Sequence, residues 1–273
     1  MNSLNLRPIG VVRCQISKSS EMPKQGIPAR VEVFSEYAPG LLGIERSTHV
    51  MVLGWLHQAD RDVLQVRRPR YTETEVRRGV FACRAPVRPN PLGVTIVKLL
   101  NVEGNVLHVD GLDMTDGTPV LDLKPHAAGF DGVFCARSAR DLSRLADPDS
   151  EHALRSMVRE AENFHGERCA GVVAGARMVY HAMKIFGVAQ KDPRVVLSVG
   201  EDGCMADSVQ ALVGATFGNK RLECGSQSAF VLSCEGQELW FRPRYLEHTP
   251  LEELLEQDID ALFDCEVSSS SLL

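Results

Sequence analysis

Short runs of β-branched and apolar residues recur through the first half of the chain, at 7–15, 30–34, 48–56, 80–84, 93–102, 105–112 and 119–124. Gly, Pro and Asp-Gly steps separate them. That rhythm predicts a mainly antiparallel sheet or barrel. The clearest hairpin lies at Gly104-Asn105, where both residues can take positive φ at little cost. Beyond Ala127 the pattern changes. Residues 137–160 are polar and helix-forming, with Asp147-Pro148-Asp149-Ser150 inside them, and read as a helical connector. Then helix and strand patterns alternate: a long helix over 169–186 ending at Gly187, a strand over 195–199, and a second helix over 206–213. A hairpin follows, its strands at 228–234 and 238–242 joined through Glu235-Gly236-Gln237. Thr249 and Glu252 predict a capping box on a last helix, and Ser268–Ser271 reads as a disordered tail. The expected architecture is a mainly β N-terminal domain over 1–136, built as a small antiparallel β-barrel. The connector over 137–160 leads to an α+β C-terminal domain over 161–267.

Length agrees with that division, since 273 residues suffice for two ordinary domains. Apolar residues make up 44% and charged residues 24%, the balance of a globular chain rather than a disordered or membrane-embedded one. Runs such as Met51–Leu56 are far too short to span a bilayer. The N-terminus shows no basic region followed by an apolar one, so the expected address is the cytoplasm. Eight cysteines without a CxxC pair point to reduced thiols. The net charge of −6 hides an asymmetry: residues 1–140 carry 18 Lys+Arg against 14 Asp+Glu, and the rest 12 against 22. The basic half suits an anionic substrate, and the acidic half disfavours nucleic acid.

Two segments of the first half exceed what turns require. In Phe81–Gly93, Pro86, Pro89 and Pro91 remove donors and stiffen the chain, Arg84 and Arg88 offer planar donors for a carboxylate or phosphate, and Gly93 permits close backbone approach. Gly111–Pro119 adds Asp113 and Asp116, with Asp122 just beyond. An arginine loop beside an acidic loop suits a zwitterion bearing sugar hydroxyls, although each residue taken singly fits ordinary turn chemistry. Arg67, Arg68, Arg70, Arg77 and Arg78, with Tyr71 among them, form a candidate RNA-backbone contact. A solvated surface loop is the competing reading.

The order Ile9-Gly10, Pro23-Lys24-Gln25, Tyr37-x-x-Gly40-Leu41-x-Gly43-Ile44-Glu45, Ser47-Thr48-His49, Gly79–Pro86, Arg88–Gly93 and Asp116–Pro125 closely resembles the TrmO-type (TsaA-like) methyltransferase family over residues 7–126. The resemblance implies a small β-barrel that binds S-adenosylmethionine, usually at a dimer interface. It also implies N6-methylation of threonylcarbamoyladenosine 37 in a tRNA. Carried over by position, the donor pocket takes Pro23, Lys24, Gln25, His57, Gln58, Arg84, Val94, Leu112, Asp113, Met114 and Thr115. Positioning of the acceptor would supply most of the catalysis, with Asp113 as a candidate proton acceptor. The family's Lys-Pro-Tyr ending is Lys124-Pro125-His126 here, which makes His126 a candidate contact to the acceptor and leaves acceptor identity open.

In the second half, His165 and Cys169 stand four apart, with Cys169 at a helix start that favours thiolate. Glu201-x-x-Cys204-x-x-Asp207-x-x-Gln210 places polar groups at helical spacing. His165, Cys169 and Cys204 are candidate ligands for zinc or a similar divalent metal. Single cysteines of this kind are more often inert, and Cys224, Cys234 and Cys265 read as structural. Residues 164–265 resemble FmdE-like domains, with Glu167 and Ala170 where the family pattern has His and Pro. Three functions follow. The first is tRNA N6-adenine methylation. The second is methylation of a small molecule, thiol or metal-bound ligand presented by the C-terminal domain. The third is a non-catalytic metal- and nucleotide-binding sensor. A homodimer is expected, with tRNA or a small-molecule acceptor as partner and no membrane association.

Overall fold

The computed structural model describes residues 5–68, 76–133, 136, 151–225, 228–244 and 249–269. The chain falls into two compact units, Met1–Gly132 and Val133–Leu273. Among the described residues no helix is long and apolar enough to cross a membrane.

The first unit is the expected closed antiparallel barrel. Its strands are β1 (Gly10–Arg13), β2 (Ile27–Val33), β3 (His49–Trp55), β6 (Leu92–Glu103), β7 (Val106–Leu112) and β8 (Pro119–Pro125), arranged β1-β2-β7-β6-β3-β8. Period-two alternation explains the closure. Val31 and Val33, Val50 and Val52, and Leu107 and Val109 point inward at 2% exposure or less. Each such buried side chain stabilises the fold by about 1.5–3 kcal/mol over an exposed one. Between β6 and β7 only Gly104 takes positive φ, at +61°. Asn105 instead donates through Nδ2 to the Val33 carbonyl at 2.5 Å, so the turn needs one permissive residue and not two.

Two expectations for this unit are corrected. Residues 80–84 are not a strand; Val80–Ala82 form a 3-10 turn. The Arg88 guanidinium donates to the carbonyls of Val80, Cys83 and Ala85, so the segment folds around an arginine rather than pairing with a neighbour. The arginine-rich stretch is not wholly loop either. β4 (Gln65–Arg68) and β5 (Val76–Gly79) form a separate two-stranded ribbon with Arg67 opposite Arg77.

The second unit contains α2 (Glu151–His165), following a short α1 (Ala128–Asp131) that closes the first unit, then α3 (Ala170–Phe186) and α4 (Gly203–Val213). A five-stranded sheet completes it, with β9 (Val196–Val199), β10 (Leu222–Cys224), β11 (Phe230–Cys234), β12 (Gln237–Pro243) and β13 (Phe263–Ser269) in the order β10-β9-β11-β12-β13. Only β9 and β10 run parallel. Val172, Met178 and Val179 of α3 share a core with Leu197, Phe230, Phe241 and Phe263. α3 ends at Gly187 with φ +63°, a left-handed cap that glycine takes without strain.

Here too the outcome differs in places from the sequence reading. The last helices are α5 (Leu251–Glu256) and α6 (Ile259–Leu262), and Pro250, not Thr249, sits at the N-cap of α5 with no side-chain bond. Glu252 has left the capping role to pair with Arg155 at 3.0 Å. Ser268 and Ser269 are not a disordered tail: they end β13, opposite Glu238 and Gln237.

Candidate functional site

One end of the barrel gathers the proposed donor residues. Gly54 of β3 lies directly opposite Gly93 of β6. A Cβ on Gly54 would come within 2.5 Å of the Met114 sulfur, and one on Gly93 within 3.0 Å of its methyl. The paired glycines therefore make the seat into which Met114 packs, 1% exposed. Met114 in turn fixes the chain just past β7. Next to it the Thr95 hydroxyl donates to Asp113, holding that exposed carboxylate over β6. Arg84 donates to the Val94 carbonyl on the same strand. Gly26 has φ +73° and lies so close to β7 that a Cβ would meet the Gly111 carbonyl at 2.4 Å. This contact brings the Pro23-Lys24-Gln25 turn against Leu112, which pairs with Ile27. On the third side, Leu56 N–H donates to the Pro91 carbonyl at 2.8 Å and Gln58 Nε2 to the Ser17 carbonyl at 2.8 Å, placing His57-Gln58 on the rim.

Pro23, Lys24, His57, Gln58, Arg84, Val94 and Asp113 are exposed there. Leu112, Met114 and Thr115 are buried. Thr95 and the glycines 26, 54 and 93 carry the geometry, and of these only Gly93 was singled out by the sequence. Spacing alone gives no sign of a glycine pair across strands. Arg88 turns Nε and Nη2 to carbonyls of its own loop.

His126 lies elsewhere. It follows β8, where its N–H donates to the His49 carbonyl at 3.0 Å, and β3 runs from His49 towards Gly54 at the donor end. At about 3.3 Å per residue that is roughly 17 Å along the strand. Asp113, held by Thr95 opposite Val52, stands at a level roughly 10 Å along β3 from His49. His126 Nδ1 stands 3.2 Å from Asp131 Oδ2 without hydrogen-bond alignment, and that oxygen accepts the Ala127 N–H at 2.8 Å.

The basic ribbon places Arg67 and Arg77 in register across β4 and β5, and Arg78 opposite Val66. Arg68 belongs to β4 by backbone. Arg70 and Tyr71 lie outside the described residues.

In the second unit the three candidate ligands meet. Single ligand atoms of His165, Cys169 and Cys204 all lie within 4.8 Å of one another. His165 ends α2, Cys169 is the N-cap of α3, and Cys204 opens α4. Glycine again makes the meeting possible. A Cβ on Gly171 would stand 2.6 Å from Cys204 Cβ, and one on Gly175 2.7 Å from Ser208 Cβ. Ser208 Oγ locks the crossing by donating to the Val172 carbonyl at 3.0 Å. Asp202 caps α4, accepting the Met205 N–H at 2.8 Å. Asp207, one turn beyond Cys204, is 2.9 Å from His165 Nδ1. Burial, then the hydrogen bond and charge of Cys169, push the Cys204 thiol up to about 11. A bare Cys204 thiol therefore stays protonated at neutral pH, and a thiophilic cation would displace that proton.

The comparisons with known proteins agree with this division. Residues 11–132 match the model of the tRNA-methyltransferase O N-terminal domain. Residues 164–254 match that of FmdE, described by a molybdenum formylmethanofuran dehydrogenase operon. The "S-adenosyl-L-methionine-binding protein" of Archaeoglobus fulgidus is 43% identical over 132 residues, covering 47% of this chain and 93% of that protein. A longer protein of the same organism, named "Probable S-adenosyl-L-methionine-binding protein", is 38% identical over 234 residues, 81% of this chain; the match spans 61% of that relative's length. The "Putative S-adenosylmethionine-dependent methyltransferase RcsF" of Pseudomonas aeruginosa is 34% identical over 62% of this chain and 76% of its own. The chain belongs to the tRNA-methyltransferase O N-terminal-domain family of S-adenosylmethionine-binding methyltransferases, with an FmdE domain following the barrel.

Proposed function

We propose that the barrel transfers the methyl group of S-adenosylmethionine to N6 of the threonylcarbamoyladenosine at position 37 of a tRNA. The observation that carries this reading is the convergence of Lys24, Gln25, His57, Gln58, Arg84, Val94 and Asp113 on one barrel end, held by Gly26 and the Gly54–Gly93 pair. An exposed arginine and an exposed carboxylate flank that rim, as a zwitterionic donor with sugar hydroxyls requires. Transfer from a sulfonium is an in-line displacement, so alignment of donor and acceptor supplies the larger part of the rate. The proton leaving N6 would go to Asp113 or to a carboxylate of a second copy.

Two further features support the reading. Arg67, Arg77 and Arg78 on the ribbon suit an RNA backbone. Leu92, Val94, Ile96 and Leu100 project from the outer face of β6 at 41, 37, 40 and 57% exposure. Leu92, Val94 and Ile96 make an apolar strip, broken by exposed Lys98 before Leu100; such a strip marks an interaction surface and supports a homodimer.

A second reading rests on the His165–Cys169–Cys204 cluster. Two thiols and an imidazole suit zinc or a similar divalent ion, and the methyl acceptor would then be a small molecule, thiol or metal-bound ligand. Nucleoside analysis of tRNA from a deletion strain separates the two. The tRNA reading expects loss of N6-methylated threonylcarbamoyladenosine and its return with the wild-type chain. Unchanged methylation would assign the acceptor to the second class.

A further inference from the structure

The ligand cluster of the second unit has two properties that a purely structural metal site lacks. Structural zinc sites are closed by four protein ligands, whereas catalytic ones keep three and an open position. Among the described residues the group comprises three side chains, His165, Cys169 and Cys204. All three are only half-buried, so the cluster reaches the surface of the unit. The nearest carboxylates are engaged in other ways. Asp202 Oδ1 accepts the Met205 N–H, and Asp207 Oδ2 faces His165 Nδ1.

Asp207 settles which nitrogen is offered. A carboxylate accepting from Nδ1–H holds the imidazole in the tautomer whose Nε2 lone pair is free, and fixes the plane of the ring. α4 thus supplies one ligand in Cys204 and, one turn on, the group that orients another. The cysteines stand at the starts of α3 and α4, which brings both sulfurs to one place beside His165.

These facts also select the fourth ligand. A divalent ion held by two thiolates and a neutral imidazole carries no net charge at the site. Its hold on hard anions such as acetate or phosphate is correspondingly weak, and the acidic balance of the second half works against them as well. A soft thiolate gains most from such an ion. We propose that this centre is an open, three-ligand site, oriented by Asp207, whose fourth position takes the thiolate of an exogenous small thiol. The thiol gives up its proton to solvent on binding and leaves a metal-bound sulfur. The inference rests on the metal reading above and names the ligand class of that site.

The test uses the full chain, freed of metal and loaded with cobalt(II) alone. One cobalt per chain is expected, with a sulfur-to-cobalt charge-transfer band that is lost in Cys169→Ser and in Cys204→Ser. Adding 2-mercaptoethanol should then increase that band and reshape the ligand-field bands with cobalt still bound, whereas acetate and phosphate at equal concentration should leave both unchanged. Asp207→Asn should weaken cobalt binding by about 10- to 100-fold while keeping the saturated spectrum. Absence of cysteine-dependent cobalt binding would overturn the metal reading itself. A normal cobalt spectrum that ignores the thiol, or cobalt stripped away by it, would overturn the open position alone. Loss of the spectrum in Asp207→Asn at saturating cobalt would make Asp207 a ligand and contradict the orienting role.

Discussion

Replacing Gly26 by alanine is expected to destabilise the barrel by about 2–4 kcal/mol and to lower methyl transfer about 100-fold. Two costs act together. The position has φ +73°, a conformation that a residue with a Cβ enters only with strain. The new methyl would also stand 2.4 Å from the carbonyl carbon and oxygen of Gly111, and 2.7 Å from the Leu112 carbonyl carbon. These are main-chain atoms of a paired strand and cannot swing aside as a side-chain tip would. The Pro23-Lys24-Gln25 turn must therefore lift from Leu112 and Asp113, opening the donor rim on that side. Thermal unfolding and methyl-transfer rates check the two parts separately. A Gly26→Ala protein that melts and turns over like wild type would show that the turn is not held by this approach.

Gly171→Ala carries the second large effect, in the other unit. Its Cβ would lie 2.6 Å from Cys204 Cβ and 3.1 Å from Asp202 Oδ1. The start of α4 must retreat from α3, straining the Asp202 cap and parting Cys204 from Cys169. Overpacking of this kind costs about 1–3 kcal/mol, and cobalt binding should fall with it. Gly203→Ala supplies the opposite sign in the facing helix, α4. No atom lies within 4 Å of its added Cβ, and its φ is not positive, so the substitution should stabilise by about 0.4–1 kcal/mol through the unfolded chain. Chemical denaturation of the pair reads both. Equal stability of Gly171→Ala and wild type would mean that the helices do not owe their crossing to that glycine.

The strands of the barrel were legible because each carries its own alternation: Val50 and Val52 face in, while Met51 and Leu53 face out. The end at which the site forms was legible only in part. The rigid Arg84–Gly93 segment and the Asp113 loop declare themselves by proline and charge. That Gly54 lies opposite Gly93, and that Met114 fills the space between them, follows from strand register, which no local pattern encodes. His126 drew attention as a departure from the family pattern, but its place beside His49, and that of Asp113 over Thr95, are set by strand register. β13 escaped notice because Ser268 and Ser269 have low strand preference, and pairing with β12 overrides it. In the second unit the i to i+3 spacing of Cys204 and Asp207 already put them on one helix face. That Asp207 would turn to His165 depended on where α2 ends, a tertiary fact.

The central claim is that S-adenosylmethionine binds at the barrel end where Asp113 and Arg84 lie. Calorimetric titration of S-adenosylmethionine into the full chain, repeated with Asp113→Ala, tests it most directly. Saturable binding to the wild-type chain, weakened at least about tenfold by the substitution, is the predicted result, matching loss of one charge-assisted hydrogen bond. No binding heat at any temperature tried, or equal affinity in the two proteins, would contradict it.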